Sequence, residues 1–306
     1  MNVWQQRSID EVIEDINVDS YASISSSTML VELSIGQYSG NIKDKEASEK
    51  LAEDNGAKKK VIRAIKSVFG ECAELDAIQR CVSAARRDHE FHTVPWGNLG
   101  QRMLTTMKQP DYIAKMTDWE QQFFGLVENF GDVYDDLINN IVPQELGSLY
   151  KKEDYYPWDV IKRRYRFTLR QWSTPDVGNI LTDLPKQALE DMKADMAEAM
   201  KENLVAASNN LWQRLAKVCE NMSRRLDYSD KKQRYSSTLV SNVEDIVDLM
   251  RTLNVTNDPH MVKTVNRIED ALNGVTTEAL REDEYMRGET KRKIDNVLAS
   301  LPNLDI

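Results

Sequence analysis

The sequence predicts an almost all-α protein, an elongated helical bundle organised around one very long helix. The stretch from Asp183 to Leu226 contains no Gly or Pro after Pro185. Its apolar residues follow one another at steps of three or four, which places them on one helix face. A helix of about 44 residues is roughly 65 Å long, so we expect other helices to lie along it. Gly and Pro are scarce, at 12 and 8 of 306 residues, which also favours helices.

The first 40 residues hold the best strand candidate. Met1–Ile16 is predicted as an amphipathic helix and Asp19–Thr28 as a Ser-rich loop. Met29–Ile35 alternates between apolar and polar side chains, a pattern typical of a strand. No second segment offers an obvious partner strand, so we expect at most a small β ribbon near residues 29–40.

Helical periodicity and end signals define most of the remaining chain. Trp158–Trp172 is compatible with either a basic helix or an extended strand. We expect Tyr112–Ile141 to pack along the long helix. The predicted domain stretches are 1–28, 29–182 and 183–306, within one continuous architecture. The predicted helices are Asp44–Glu53, Lys58–Phe69, Ala73–Glu90, Tyr112–Ile141, Lys231–Leu253, Met261–Leu272 and Thr276–Leu301.

Composition excludes several classes of protein. Hydrophobic residues make up 41% and charged residues 29% of the chain, as in a soluble folded protein. No window of about 18 uncharged apolar residues exists, so we expect no transmembrane helix. The first 16 residues lack the apolar core of a signal peptide. Three widely spaced cysteines fit a reducing cytoplasm, and the net charge of −10 disfavours general binding to nucleic acid.

No catalytic signature is present. The sequence contains neither a phosphate-binding Gly-rich loop nor a nucleophile elbow. His89 and His92 have a spacing that could place two metal ligands on one helix face, but no third ligand completes the pattern. A helix end near a turn explains them better. We therefore expect no enzyme activity, no cofactor and no metal.

A basic cluster precedes the long helix. Arg163, Arg164, Arg166 and Arg170 are interleaved with Tyr165, Phe167 and Trp172, a combination that suits nucleic-acid binding. The alternative, which the overall charge favours, is an ion-pair face against the acidic first half of the long helix. That acidic half could also mimic a phosphate array, as in an inhibitor of a host defence or DNA-binding protein. Its acidic residues are Asp183, Glu190, Asp191, Asp195, Glu198 and Glu202.

Two aromatic turns are candidate protein-binding surfaces. The first contains Trp96 and is followed by Arg102, and the second contains Tyr155 and Pro157. Packing of Pro and aromatic residues against a helical core is the alternative explanation.

One ordered set of motifs carries a family resemblance. It begins with Leu33-Ser34-Ile35-Gly36-Gln37-Tyr38-Ser39-Gly40 and continues through Thr93-Val94-Pro95-Trp96, Gly100-Gln101-Arg102-Met103-Leu104, Tyr155-Tyr156-Pro157, Leu211-Trp212-Gln213-Arg214-Leu215 and Leu253-Asn254-Val255-Thr256-Asn257-Asp258-Pro259. Over about Met29–Leu301 the chain resembles a family of uncharacterised helical proteins from tailed phages and bacteria, a domain of unknown function.

Members of that family are often encoded beside a MoxR-type AAA+ ATPase. The resemblance implies an accessory or adaptor protein of the bacterial host cytoplasm. Such a protein would bind a protein partner, such as the ATPase or its client, or would form a homo-oligomer. The resemblance supplies no catalytic residues.

Overall fold

The fold comes from a computed structural model that describes residues 18–58, 60–97, 99–178, 180, 184–227 and 236–302. The predicted helix Met1–Ile16 lies outside these residues. The helices are α1 (Val18–Ser27), α2 (Lys45–Asp54), α3 (Ala73–His92), α4 (Gln109–Asp136), α5 (Val142–Leu146), α6 (Trp158–Lys162), α7 (Lys186–Leu226), α8 (Ser241–Leu253), α9 (Pro259–Leu272), α10 (Thr277–Glu282) and α11 (Glu284–Leu298). The strands are β1 (Thr28–Gly36), β2 (Asn41–Asp44), β3 (Ala64–Ser67), β4 (Val94–Pro95), β5 (Arg102–Thr105) and β6 (Arg166–Ser173).

The chain divides into two compact units, each assembled from separate segments. Unit 1 comprises residues 1–32, 91–110 and 171–306, and unit 2 comprises residues 33–90 and 111–170. Each unit has its own hydrophobic core. The division into 1–28, 29–182 and 183–306 stays a prediction.

In unit 1 the long helix α7 is the element against which the other helices pack. It contacts α8 and α11, and α9 packs against the same two helices. The prediction of one very long helix is confirmed, with its described start at Lys186. Its buried residues all lie between Met200 and Leu226, however, so the first 14 of its 41 residues contribute no buried side chain. Met192, one of the apolar residues whose spacing predicts the helix, is 39% exposed.

In unit 2 the core contains a cluster of aromatic rings. Phe130 is fully buried, and its ring meets Phe69, Tyr134 and Trp158 edge to face at centroid distances of 5.4, 5.7 and 5.6 Å. This geometry places the positive edge of one ring against the negative face of the next. The rings come from α4, α6 and the loop after β3, so the cluster joins segments that are distant in sequence.

The prediction of an almost all-α fold is wrong. Of the residues that the structure describes, 66% are helix and 12% are strand, and a four-stranded antiparallel sheet is present. Its order is β4-β5-β1-β6, with Thr28 opposite Thr105 and Val94 opposite Met103. Met29–Ile35 is a strand as predicted, but it is paired with β5 and β6. Sequence periodicity missed β5 because this strand has only four residues and three of them are buried in succession.

Two further segments differ from the predictions. The prediction of a helix over Lys58–Phe69 is wrong, because this segment contains β3, which pairs antiparallel with β2. Thr276–Leu301 was expected to be one helix and is two. Asp283 ends α10 and caps α11 by accepting a hydrogen bond from the backbone N–H of Met286. The choice left open for Trp158–Trp172 is resolved as short helix α6 followed by strand β6.

Candidate functional site

The first predicted protein-binding pair, Trp96 and Arg102, lies in unit 1. Trp96 is only 5% exposed and belongs to the core. Arg102 donates hydrogen bonds from Nε to the Thr93 hydroxyl at 2.6 Å and from Nη2 to the Thr93 carbonyl at 2.9 Å. Both side chains therefore hold the turn between β4 and β5 in place. Their role in binding a partner stays a prediction.

Polar side chains of α7 hold both this turn and the segment that joins α3 to β4. The Arg214 guanidinium donates to the carbonyl oxygens of Phe91 and Thr93 at 3.1 and 3.0 Å. The Asn203 side-chain oxygen accepts a hydrogen bond from the backbone N–H of Gly97 at 2.9 Å. Backbone groups that secondary structure leaves unpaired are satisfied in this way.

The second predicted pair, Tyr155 and Pro157, lies in unit 2. The Tyr155 hydroxyl donates to the Val68 carbonyl at 2.5 Å, and its ring stacks on Tyr150 at 5.4 Å. Burial raises the pKa of Tyr155 above its ordinary value. Pro157 is exposed and precedes α6, where its carbonyl accepts the N–H of Val160 at 2.9 Å. Tyr155 is thus chiefly a packing residue, and Pro157 is the accessible one.

The arginine surface, defined as Arg163, Arg164, Arg166 and Arg170, is solvent-exposed in unit 2. The Arg164 guanidinium lies 5.4 Å from the centre of the Tyr38 ring and 5.8 Å from that of Tyr156. Tyr165 and Phe167, which the sequence interleaves with the arginines, are buried instead. Trp172, the third aromatic of the cluster, is 39% exposed, and beside Arg164 solvent reaches the ring of Tyr156, which is 49% exposed. The predicted ion-pair face with the long helix stays a prediction.

The histidines occupy separate environments. His89 is buried, and its Nδ1 atom lies 2.6 Å from the Tyr112 hydroxyl. The His92 ring meets the ring of Phe91 edge to face at 5.1 Å. Within the residues that the structure describes, no group of three or more His, Cys, Asp or Glu side chains is arranged to hold a metal ion.

The acidic side chains of the first half of α7 are exposed. They are Glu190, Asp191, Asp195, Glu198 and Glu202. Lys193 pairs with Glu190 at 3.4 Å, and the Gln187 amide donates to Asp191 at 2.9 Å. Asp183 lies outside the described residues. This surface is negative, as the phosphate-mimic alternative requires, and that alternative stays a prediction.

A groove in unit 2 is the feature that sequence reasoning missed. It has a volume of about 660 Å³. One wall is β3, and the other is formed by α5 and the 3₁₀ turn Gly147–Leu149. Ile65 is 71% exposed and Leu149 is 50% exposed, so large apolar side chains of both walls face solvent.

The groove combines these apolar side chains with fixed charges. At its base the buried Lys66 ammonium donates to the Leu149 carbonyl at 2.8 Å and to the Asp154 carboxylate at 2.5 Å. Glu145, on the rim, accepts a hydrogen bond from the backbone N–H of Glu71 at 3.1 Å. Because Lys66 is already paired with Asp154, the free charge that lines the groove is negative.

The sequence does contain a signal for this groove. Val61, Ile62, Ile65 and Val68 are β-branched residues within one short segment, and β-branched residues favour strands over helices. The three lysines at 58–60 and the helix-like spacing of the apolar residues favoured a helix instead of this strand.

None of the helices in the described residues is both long enough and apolar enough to cross a membrane. No protein-family model matches the chain, and the searches of curated proteins and of solved structures gave no similar protein. The resemblance to the phage and bacterial family therefore stays a prediction.

Proposed function

We propose that the chain is a non-enzymatic accessory or adaptor protein that binds a protein partner through the groove along β3. The observation that carries the proposal is the exposure of Ile65 and Leu149, two large apolar residues that both line one groove. Val61, close by in sequence, is 73% exposed. Apolar side chains gathered at one concave surface are a feature of interaction sites, whereas isolated ones are common everywhere.

The family resemblance supplies the partner to test first, a MoxR-type AAA+ ATPase of the same host or a client of that ATPase. It also places the proposed activity in the cytoplasm of a bacterium, for a phage-encoded or bacterial chain. A homo-oligomer that uses the same groove is the alternative within this proposal.

The test is affinity purification of the tagged full chain from expressing cells, followed by binding measurements with the purified partner and by light scattering. Ile65→Asp and Leu149→Asp each place a charge in the groove. We expect each to weaken binding by about ten- to a hundredfold, because a buried aliphatic side chain contributes roughly 1.5–3 kcal/mol.

Val262→Asp is the matched control. Val262 is a 49% exposed aliphatic residue near the start of α9 in unit 1, where an added carboxylate is compatible with the helix dipole. This variant should bind as the wild type does. A monomer that captures no protein, or equal binding by all three variants, would contradict the proposal.

Nucleic-acid binding by the arginine surface is a second candidate function. The observation that favours it is that four exposed arginines lie within residues 163–170 and that the guanidinium of one of them, Arg164, lies 5.8 Å from the centre of the exposed Tyr156 ring. Within the described part of unit 2, none of the four has a carboxylate at ion-pairing distance. Guanidinium groups and an aromatic ring suit the phosphates and bases of a single strand.

This candidate is tested by fluorescence anisotropy with a labelled single-stranded oligonucleotide over a series of salt concentrations. Arg164→Gln with Arg166→Gln should lower the salt dependence of the binding constant by about 0.7 in slope for each phosphate contact removed. Arg251→Gln is the control, because Arg251 is paired with Glu269 in unit 1. Absence of binding by the wild type at low salt rejects this candidate.

A further inference from the structure

The hydrogen-bond register of the small sheet shows which backbone groups of β3 face away from β2. The Val68 N–H donates to the Gly40 carbonyl at 2.8 Å, and Lys66 stands opposite Ile42. Opposed pairs in an antiparallel ladder alternate between hydrogen-bonded and non-hydrogen-bonded. The N–H and C=O groups of Lys66 therefore point to β2, and those of Ile65 and Ser67 point outward.

The outward edge of β3 is the edge that lines the groove. All four residues of β3 border the groove, whereas β2 contributes only Asp44. The sheet has two strands in the described residues, and its order is β2-β3. Among the described residues, the Ser67 carbonyl accepts one long turn hydrogen bond, 3.5 Å from the Gly70 nitrogen. The edge is thus a row of backbone groups that a further strand could pair with.

We infer that the groove takes an extended segment of a partner protein, which adds to β3 as a third strand. This inference rests on the proposed function and specifies how the partner is recognised. Main-chain hydrogen bonds to Ile65 and Ser67 would hold the segment, and alternate side chains would enter the groove. A helix would leave the backbone groups of the edge unpaired, so the extended form fits this wall better.

The lining of the groove defines the chemistry of that segment. Leu146 and Leu149 form the apolar wall opposite β3, so an aliphatic or aromatic side chain of the segment packs there. Glu71 and Glu145 are exposed at one end. A Lys or Arg of the segment, two residues from the apolar one and on the same face of the strand, meets these carboxylates.

The probe is a displayed library of random peptides of about ten residues, long enough to span β3 in extended form, selected on the immobilised full chain. We expect the selected peptides to alternate apolar and polar residues, with one basic residue. Two versions of the best peptide are then synthesised, one N-methylated at its odd-numbered amides and the other at its even-numbered amides. Pairing with one edge predicts a loss of about tenfold or more in affinity for one copy and an unchanged affinity for the other.

The matched chain variants are Ile65→Pro and Ile65→Val. Pro removes the outward N–H and is tolerated at a strand edge, and Val keeps it with a similar side chain. Selected peptides should bind Ile65→Val normally and Ile65→Pro at least about tenfold more weakly. The N-methyl comparison gives its answer on the wild-type chain, even if Ile65→Pro does not fold.

Three outcomes overturn strand addition: no selected peptides, peptides with apolar residues spaced as on a helix, or equal binding by both N-methylated copies. If Ile65→Asp no longer binds the partner and Ile65→Pro binds it fully, the proposed function stands and only strand addition is rejected. Retention on both variants removes the proposed function itself.

Discussion

Two glycines in α4 have opposite surroundings, so the same substitution should have opposite effects. A Cβ atom at Gly125 would have no neighbouring heavy atom within 4 Å. A Cβ atom at Gly131 would lie 2.6 Å from two indole carbons of Trp158 and 2.8 Å from its Nε1. Real Cβ contacts are longer than this, so Gly131→Ala requires the indole to move.

The indole of Trp158 has little freedom to move. Its ring is held at centroid distances of 5.6 Å from Phe130, 5.4 Å from Tyr134 and 6.4 Å from Tyr165. Gly125→Ala should therefore raise the free energy of unfolding by roughly 0.8–1 kcal/mol, the helix-propensity difference. Gly131→Ala gains the same amount but loses about 1–3 kcal/mol to overpacking. The two variants should differ by about 1–3 kcal/mol.

The assay is urea unfolding followed by near-ultraviolet circular dichroism, which reports the packing of the aromatic cluster. Trp158→Phe, which replaces the indole by a smaller ring, should cost less in the Gly131→Ala background than in the wild type. A double-mutant cycle measures that coupling. Equal stabilisation by both alanines, or no coupling to Trp158, would refute the close approach of Gly131 to the indole.

Three further predictions concern single side chains. Burial raises the pKa of Tyr134 from 10.0 to about 12. The free energy of unfolding should therefore be constant below pH 10 and fall between pH 10 and about 12, because the unfolded chain loses this proton first. Tyr134→Phe should make the fall shallower in unfolding experiments over that pH range, and an unchanged slope would contradict the burial of the hydroxyl. Burial raises the pKa of the Cys219 thiol to about 12, so a thiol reagent should label it about a hundredfold more slowly in native protein than in urea, and equal rates by mass spectrometry would refute its burial. Arg214→Met withdraws the donor from the carbonyl groups of Phe91 and Thr93 and should cost about 1–3 kcal/mol of unfolding free energy in urea. Arg214→Lys should cost less, and equal costs would argue against the paired hydrogen bonds.

Local signals were sufficient for several helices. Asp258 accepts the N–H of His260 at the start of α9, with Pro259 in the first turn, as the sequence predicts for a helix beginning with Pro. The long helix α7 was predictable because its pattern repeats over many turns. Predictions failed where pairing is non-local: β5 meets β1 across a long stretch of chain, and four residues carry too little periodicity to show it.

The candidate binding residues stay predictions for a related reason. An aromatic residue beside a proline has the same sequence pattern whether it packs inward or faces a partner, and the structure places Trp96 in the core. The groove went unnoticed because one of its walls, β3, was predicted as a helix. Its other wall comes from residues 145–149, and only the folded chain brings the two together.

The interleaved segments of the two units determine the order in which the units can fold during synthesis. Unit 2 uses no residue beyond Arg170, whereas unit 1 also needs residues from Gln171 onward. A ribosome therefore releases all of unit 2 while α7 and the helices that cover it are still unmade. Helix α1 and the start of β1 are made early but cannot pack until residues 171–306 have been synthesised. Until then, Ile24 and Leu30 lack most of the core residues that bury them. Unit 2, with its aromatic cluster and its groove, is thus the first part of the molecule able to fold as the chain emerges.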